Sequence, residues 1–275
     1  IRTGPGLQKM QFESIKRFNT TGFVTVPSFI PKLITYAINN NISLNETSVK
    51  KAICIGEPIR NPDFTLNQLG KKIAEEWDLK LYSTYASTEM GTAFTECSEG
   101  KGGHHHPEMI IVEFLDENNN PVSEGEAGEV TITTIGVEGM PLLRFKTGDM
   151  CYHHTEPCRC GRNTMRLGPV IGRKQQMIKL KGTTIYPPAI YDILNEIDYI
   201  DNYIVEVSSN ELGIDELLIK IGSLYHKPDY EKNIKDNFRA KLRVAPEIEF
   251  YSPQEIAKLH FINDSRKPQV FIDKR

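Results

Sequence analysis

Lys51-Ala52-Ile53-Cys54-Ile55-Gly56-Glu57-Pro58, followed by Leu79-Lys80-Leu81-Tyr82-Ser83-Thr84-Tyr85-Ala86-Ser87-Thr88-Glu89, is the stretch whose reading decides the fold. Each half is a short, β-rich run that stops at polar turn residues. Residues 51–55 end on Gly56-Glu57-Pro58, and residues 79–84 run into Tyr85–Glu89. Between them Leu66, Leu69, Ile73 and Trp77 recur on one side of a helix, which predicts an amphipathic helix over 66–77. Upstream, Phe23–Val26 predicts another strand ended by Pro27-Ser28, and Leu33, Ile34, Ala37 and Ile38 predict a helix after Pro31. Strand-helix-strand-helix-strand with short connections is the pattern of a parallel α/β sheet. In such sheets the loops at the carboxyl ends of the strands share one rim, where ligands bind.

Downstream the pattern changes. Residues 109–115, 128–135 and 141–145 read as strands without intervening helices, the mark of an antiparallel or barrel-like β unit. After Gly172 come strand signals at 177–180, 203–207, 216–221 and 247–251, with helices at 187–197 and 228–242. That β-α-β-β-α-β order predicts a small split-βαβ-like domain. The expected fold class is therefore α/β: a parallel α/β subdomain with an antiparallel β unit over 1–171, followed by a small α+β domain over 172–275.

The composition is that of a globular protein: 275 residues, 39% hydrophobic, 25% charged, net charge −3. The balance lacks the basic excess of a phosphate-backbone binder, so a nucleic-acid partner is not expected. Mean hydropathy is −0.38. No run approaches the about 18 apolar residues of a bilayer span, so no membrane partner is expected. The five cysteines are too few and too unevenly spread for a disulfide framework, which favours a reducing, cytoplasmic compartment. The chain opens on Ile1-Arg2-Thr3 without an initiator Met, as expected either of a processed start or of the later part of a longer polypeptide.

Four blocks can carry chemistry. In Tyr85-Ala86-Ser87-Thr88-Glu89 the hydroxyls suit phosphate oxygens, the phenol suits stacking on a base, and Glu89 is a hard ligand for Mg²⁺; an ordinary polar loop with a helix cap is the bland reading. Gly56-Glu57-Pro58 opens on the same rim. Arg144-Phe145-Lys146-Thr147-Gly148-Asp149 ends an expected strand with a turn carboxylate that can accept from a ribose diol or close an Asx turn. Gly172-Arg173-Lys174-Gln175-Gln176 through Lys179-Leu180-Lys181-Gly182 is a plain linker or a cationic hinge.

Cys97, His104, Cys158 and Cys160 form a further set. Thiolate and imidazole are preferred Zn²⁺ ligands, and a closed Cys3His set is the structural type, with no position left for a water. His105 or His106 can replace His104, and incidental thiols beside a surface histidine run are the alternative. Cys54 and Cys151 read as buried core residues.

Together the four blocks, in this order, resemble the adenylate-forming superfamily of acyl-CoA synthetases, in particular its phenylacetate-CoA ligase-like branch. YASTE (85–89) stands where the family has Y-G-x-[ST]-E, and GEP (56–58) where it has G-[GA]-E-P. RFKTGD (144–149) matches R-[FY]-[RK]-T-x-D, and GRKQQMIKLKGTTIYP (172–187) matches the family's hinge block. The resemblance implies an ATP-dependent acid-thiol ligase that adenylates an aryl or acyl carboxylate and passes it to CoA. Gly56, Glu57, Pro58, Tyr85, Ala86, Ser87, Thr88, Asp149 and Arg173 would bind ATP or AMP. Glu89 would hold Mg²⁺, and Gln175 would be the hinge. Lys179, Lys181 and Gly182 would line the CoA path, and Lys267, with Glu89 and Thr88, would be catalytic; a solvated tail is the alternative for Lys267. Part of the branch also carries a Cys…His…Cys-x-Cys set like this one. The implied partners are a small carboxylic acid and CoA, with a homodimer as the assembly. Ala86 departs from the usual Gly, Gln175 and Gln176 from Asp-Asp, and the loop that grips the β- and γ-phosphates is absent from these residues. Two other readings stand beside this one: adenylation with a non-CoA acceptor, and an inactive zinc-stabilised nucleotide-binding fragment.

Overall fold

The computed structural model describes residues 3, 4, 6–180, 182–211, 214–225, 227–260 and 269–275. The chain divides into two compact units, Ile1–Ile171 and Gly172–Arg275.

The first unit opens with α1 (Gln8–Phe18), β1 (Gly22–Thr25), α2 (Ile30–Asn39), β2 (Lys51–Ile55), α3 (Gln68–Glu76), β3 (Lys80–Ala86) and β4 (Ala93–Thr95). These strands form one sheet in the order β1-β2-β3-β4, the first three parallel and β4 antiparallel to β3. Burial alternates along β2: Ala52 and Cys54 face a core with Ile30, Leu33, Ile34, Ala37, Ile73 and Trp77, while Ile53 and Ile55 are exposed with Val24 on the other face. Period-2 alternation is what a strand with one covered face requires. Helix α2 buries Ile30, Leu33, Ile34 and Ala37 but leaves Ile38 exposed, so its apolar stripe is narrower than the sequence implied. Helix α3 begins where the Asn67 side chain accepts from the Gly70 amide at 2.9 Å, later than expected, and Trp77 enters the core from beyond its end.

The second sheet holds β5 (Gly103–His104), β6 (Ile110–Leu115), β7 (Gly128–Thr134), β8 (Phe145–His154) and β9 (Arg166–Arg173), in the order β5-β9-β8-β7-β6. Residues 141–144, expected as the start of a strand, are a loop, and Leu143 is 82% exposed. The strand begins at Phe145, so Asp149 lies inside β8 and does not close a turn. Likewise β3 continues through Ala86, which makes Tyr85 and Ala86 strand residues and moves the loop to Ser87.

The second unit comprises the hairpin β10 (Ile178–Leu180) and β11 (Thr183–Ile185), then α4 (Pro187–Asn195), β12 (Asn202–Ser209), β13 (Asp215–Gly222), α5 (Pro228–Leu242), β14 (Glu247–Tyr251), α6 (Pro253–Leu259) and β15 (Phe271–Asp273). Its sheet runs β14-β13-β12-β15; the strand at 178–180, expected to open the βαββαβ order, pairs with β11 instead. Ile178, Leu180, Ile190, Leu194, Val205, Ile219, Ile234 and Phe238 share the core.

Arg275 ties this unit's first residues to its sheet. Nε and Nη2 donate to the two oxygens of Asp273 (2.9 and 2.6 Å), Nη1 to Asp215 Oδ2 (3.0 Å) and the Met177 carbonyl (2.8 Å), and Nη2 to the Gln175 carbonyl (3.2 Å). Asp215 Oδ2 also accepts from the Lys179 amide at 2.7 Å. Five charge-assisted bonds from one planar group cannot be reproduced by a lysine point charge. Arg275→Ala is expected to destabilise this unit by about 1–3 kcal/mol and speed amide exchange over residues 175–179 at least tenfold, with Arg275→Lys restoring only part. Unchanged exchange over that segment would show that Arg275 does not hold it.

Candidate functional site

Because β1, β2 and β3 are parallel, their carboxyl ends present residues 26–28, 56–58 and 87–89 along one edge. Glu57 joins two of these loops: its carboxylate accepts from the Ser28 amide (3.0 Å) and the Ser28 hydroxyl (2.9 Å). Both oxygens are thus engaged by the loop after β1, and Glu57 acts on the rim by holding its neighbours in register. Gly56 is exposed and Pro58 half-buried beside it. In the loop after β3, Ser87 is half-buried, Thr88 and Glu89 are exposed, and the buried Met90 anchors the segment in a core with Phe94, Ile110, Val130 and Ile132. Ala86 pairs with Ala93 of β4.

Asp149 arrives at this edge from the other sheet. Between Glu129 and Thr131 the β7–β8 register slips, so that Val130 stands opposite Thr147, Gly148 and Asp149. Gly148 carries φ +76, a conformation that glycine adopts without strain. A bulge of this kind re-aims side chains. The Tyr85 hydroxyl donates to Asp149 Oδ2 at 2.9 Å, with Thr147 Oγ1 3.3 Å away. The phenol ring stacks on Phe94, centroids 6.1 Å apart. Burial, and then the Asp149 charge, push the Tyr85 pKa well above the ordinary tyrosine value, so the phenol keeps its proton at neutral pH. Arg144, from the same sequence block, points elsewhere: it forks onto Glu113 at 3.0 Å on the surface.

The four expected metal ligands converge. Cys97 follows β4, His104 lies in β5, and Cys158 and Cys160 lie in the β8–β9 loop, yet their ligand atoms all fall within 4.8 Å of one another. Cys97 Sγ lies 3.7 Å from Cys158 Sγ, and Cys160 Sγ lies 3.5 Å from His104 Nε2. A tetrahedral zinc with sulfur at about 2.3 Å and nitrogen at about 2.0–2.1 Å separates two sulfurs by about 3.8 Å and a sulfur from a nitrogen by about 3.5 Å. The set fits that ion. His104 is the histidine that faces the thiols: His105 Nε2 is at the Ile110 carbonyl (2.7 Å), and His106 faces Glu108. Any side chain at Gly103 would run into the Phe94 carbonyl, so glycine is what lets β5 bring His104 this close. Burial, with Arg162 and Arg166 nearby, lowers the His104 pKa and keeps the ring neutral. Burial pushes the Cys97 thiol up to about 11, whereas bonds from the Arg162 backbone and side chain bring Cys160 down to about 7.

Sequence reasoning missed Arg166, a buried cation whose Nη1 donates to the Lys101 carbonyl (2.6 Å) and whose Nη2 donates to Glu156 Oε1 (2.6 Å). It braces the two loops that carry the ligands. Ser28 and Thr147 were also missed. Nothing in the sequence signals a hydroxyl whose partners lie in other elements.

Of the remaining candidates, Arg173, Gln175, Lys179 and Gly182 belong to the second unit. Arg173 ends β9, Gln175 and Lys179 are exposed, and Gly182 lies in the turn between β10 and β11. Lys181 and Lys267 lie outside the described residues. Among the described residues no helix is long and apolar enough to cross a membrane.

Comparison with known proteins gives a consistent result. The AMP-binding enzyme C-terminal domain family matches residues 182–275. A phenylacetate-coenzyme A ligase of Thermus thermophilus is 27% identical over 220 residues, covering 78% of this chain and 48% of the relative. A 2-hydroxyisobutyryl-CoA ligase, solved in the postadenylation state with its acyl-AMP, superposes with a TM-score of 0.78 at 21% identity, over 100% of this chain and 59% of that one. The Bacillus subtilis o-succinylbenzoate CoA synthetase shares the fold at a TM-score of 0.64 and 16% identity, over 95% and 55% of the two chains. This chain spans about half the length of the curated relatives it matches. The family match is confined to the C-terminal third of the chain, and the curated relatives, at 27% and 24% identity, show what the chain is similar to.

Proposed function

We propose that this chain is the C-terminal portion of an ATP-dependent acid-thiol ligase that activates an aryl or acyl carboxylic acid as its adenylate and transfers the acyl group to CoA. The observation that carries the reading is the meeting of Tyr85 and Asp149, from two different sheets, beside the loop after β3. The exposed apolar face of the first sheet (Val24, Ile53, Ile55) supports its being one portion of a larger domain, since parallel sheets are covered on both faces.

In the first half-reaction a carboxylate oxygen bonds to the α-phosphorus of ATP and the bond to pyrophosphate breaks. Tyr85 lies along the adenine, Asp149 accepts from the ribose hydroxyls, and the Ser87 and Thr88 hydroxyls donate to the α-phosphate oxygens. Gly56 and Pro58 contribute backbone at the rim that Glu57 and Ser28 hold together. Glu89 would hold Mg²⁺, which offsets phosphate charge. Lys267 supplies a cation where negative charge develops at the reacting phosphorus. In the second half-reaction the CoA sulfur bonds to the acyl carbonyl carbon, its proton leaves, and AMP departs. Lys179, Lys181 and Gly182 would line the approach of the pantetheine chain, Arg173 would serve nucleotide binding, and Gln175 would be the hinge between the two steps.

Cys97, His104, Cys158 and Cys160 would hold a structural Zn²⁺ that staples the segment after β4 to the β8–β9 loop; with four protein ligands it is closed to substrate. Five cysteines, none of them in a disulfide, support a reducing, cytoplasmic setting.

The test is ATP–pyrophosphate exchange by the intact enzyme across a panel of aryl and acyl carboxylic acids, with acyl-CoA detected by mass spectrometry. Acid-dependent exchange and CoA-dependent thioester are expected. Exchange without thioester would move the acceptor away from CoA, and no acid-dependent exchange at all would overturn the ligase reading.

A further inference from the structure

The hydroxyl of Thr147 sits at the bulge that carries Asp149. It donates its single hydrogen to the Val130 carbonyl at 2.8 Å, across the bulge between β7 and β8. Its lone pairs then face the Asp149 amide, which donates to it at 3.1 Å, and the Tyr85 hydroxyl at 3.3 Å. The phenol has one proton and gives it to Asp149 Oδ2, the closer and charged acceptor at 2.9 Å. One side-chain oxygen therefore ties the Val130 carbonyl to the backbone of the carboxylate, beside the phenol. Val130 is fully buried, so its carbonyl would otherwise have no solvent to turn to.

We propose that Thr147 is a positioning residue for ribose recognition, its hydroxyl closing the β7–β8 bulge so that the Asp149 carboxylate and the Tyr85 phenol are held in one orientation. The proposal rests on the reading of Asp149 as the ribose-binding carboxylate. It follows from geometry: Gly148 gives the bulge its backbone freedom, and the Thr147 hydroxyl bonds the backbone on both sides of the bulge, at Val130 and at Asp149. Valine at 147 has the shape of threonine and lacks both bonds, to the Val130 carbonyl and from the Asp149 amide. Serine keeps the oxygen.

The experiment is calorimetric titration of the intact enzyme with AMP and with 2′,3′-dideoxy-AMP, for wild type, Thr147→Val, Thr147→Ala and Thr147→Ser, with a thermal melt of each. Wild type is expected to bind AMP at least about tenfold more tightly than the dideoxy analogue, the difference being the ribose hydroxyls on a charged acceptor. In Thr147→Val that ratio should fall below about threefold while affinity for the dideoxy analogue stays within about twofold of wild type. Thr147→Ser should restore it. A merely structural role would lower the melting temperature, or weaken both ligands alike, without erasing the discrimination. Thr147→Ala reads the same loss with a smaller side chain should valine not be accommodated. A wild-type ratio retained in either folded variant overturns the role of Thr147 alone. A wild type that binds both ligands equally, or neither, overturns the ribose reading of Asp149 and this proposal with it.

Discussion

Asp149→Ala in the intact enzyme is expected to weaken AMP binding by about 10²–10³-fold, while melting of the first unit shifts by only a few degrees. A hydrogen bond to a charged group contributes about 1.5–3 kcal/mol, and two ribose hydroxyls on one carboxylate bring the loss to about 3–4 kcal/mol. The variant also removes the acceptor of the Tyr85 phenol, which is 2.9 Å away and half-buried, so the ring that should lie along the base loses its tether at the same time. Asp149→Asn separates the two effects. It keeps an acceptor oxygen for the phenol but loses the charge, and a loss of about tenfold is expected. Equilibrium binding of AMP, with melting curves as control, measures both. Affinity within threefold of wild type for the alanine variant would remove Asp149 from the site.

The second large effect concerns the metal. Purified protein is expected to carry one zinc per chain, and Cys158→Ser to carry close to none, with a loss of about 3–5 kcal/mol of stability in the first unit. For a unit of this size that corresponds to a fall in Tm of about 6–20 °C. The reason is topological: the four ligands come from three segments, after β4, in β5 and between β8 and β9, and without the ion two thiols and an imidazole are brought together with no bond that requires them to stay. Acidification should release the ion as the thiolates and His104 take up protons. Cys54→Ala is the control. That thiol is fully buried and pushed up to about 12 by burial, chiefly, and by nearby Glu96, so it competes for no metal, and zinc content should be unaffected. Elemental analysis decides the matter; a wild-type protein without zinc would refute the staple.

How much of this was legible in the sequence depended on whether a signal was local. The unbroken apolar run Ala52–Ile55, stopped by Gly56-Glu57-Pro58, announced β2, although only Ala52 and Cys54 of it are buried, and helix α5 runs over the residues its pattern marked, 228–242. The family blocks pointed to Tyr85 and Asp149 separately, and the structure brings them to hydrogen-bonding distance. What failed was local reading of a non-local device. Lys146-Thr147-Gly148-Asp149 looks like a turn because polar residues and a glycine usually make one. In the sheet the same residues form a bulge, stabilised by a carbonyl on the neighbouring strand. Pro141-Leu142-Leu143 looked like a strand because it is apolar, yet Leu143 is the most exposed large hydrophobic side chain among the described residues. Glu57 was read as a nucleotide contact from its motif, and its tie to Ser28 could emerge only once two parallel strands ended side by side. The histidine choice likewise waited for Gly103, whose missing side chain admits the Phe94 carbonyl and brings β5 to the thiols.

The central claim is that Tyr85, Asp149 and the loop between them form one half of an adenylate pocket. A crystal structure of the intact enzyme with AMP tests it most directly. The account predicts the adenine against the Tyr85 ring, both ribose hydroxyls within hydrogen-bonding distance of the Asp149 carboxylate, and the phosphate at Ser87 and Thr88. A nucleotide seated elsewhere, with the Tyr85–Asp149 pair untouched, would contradict it.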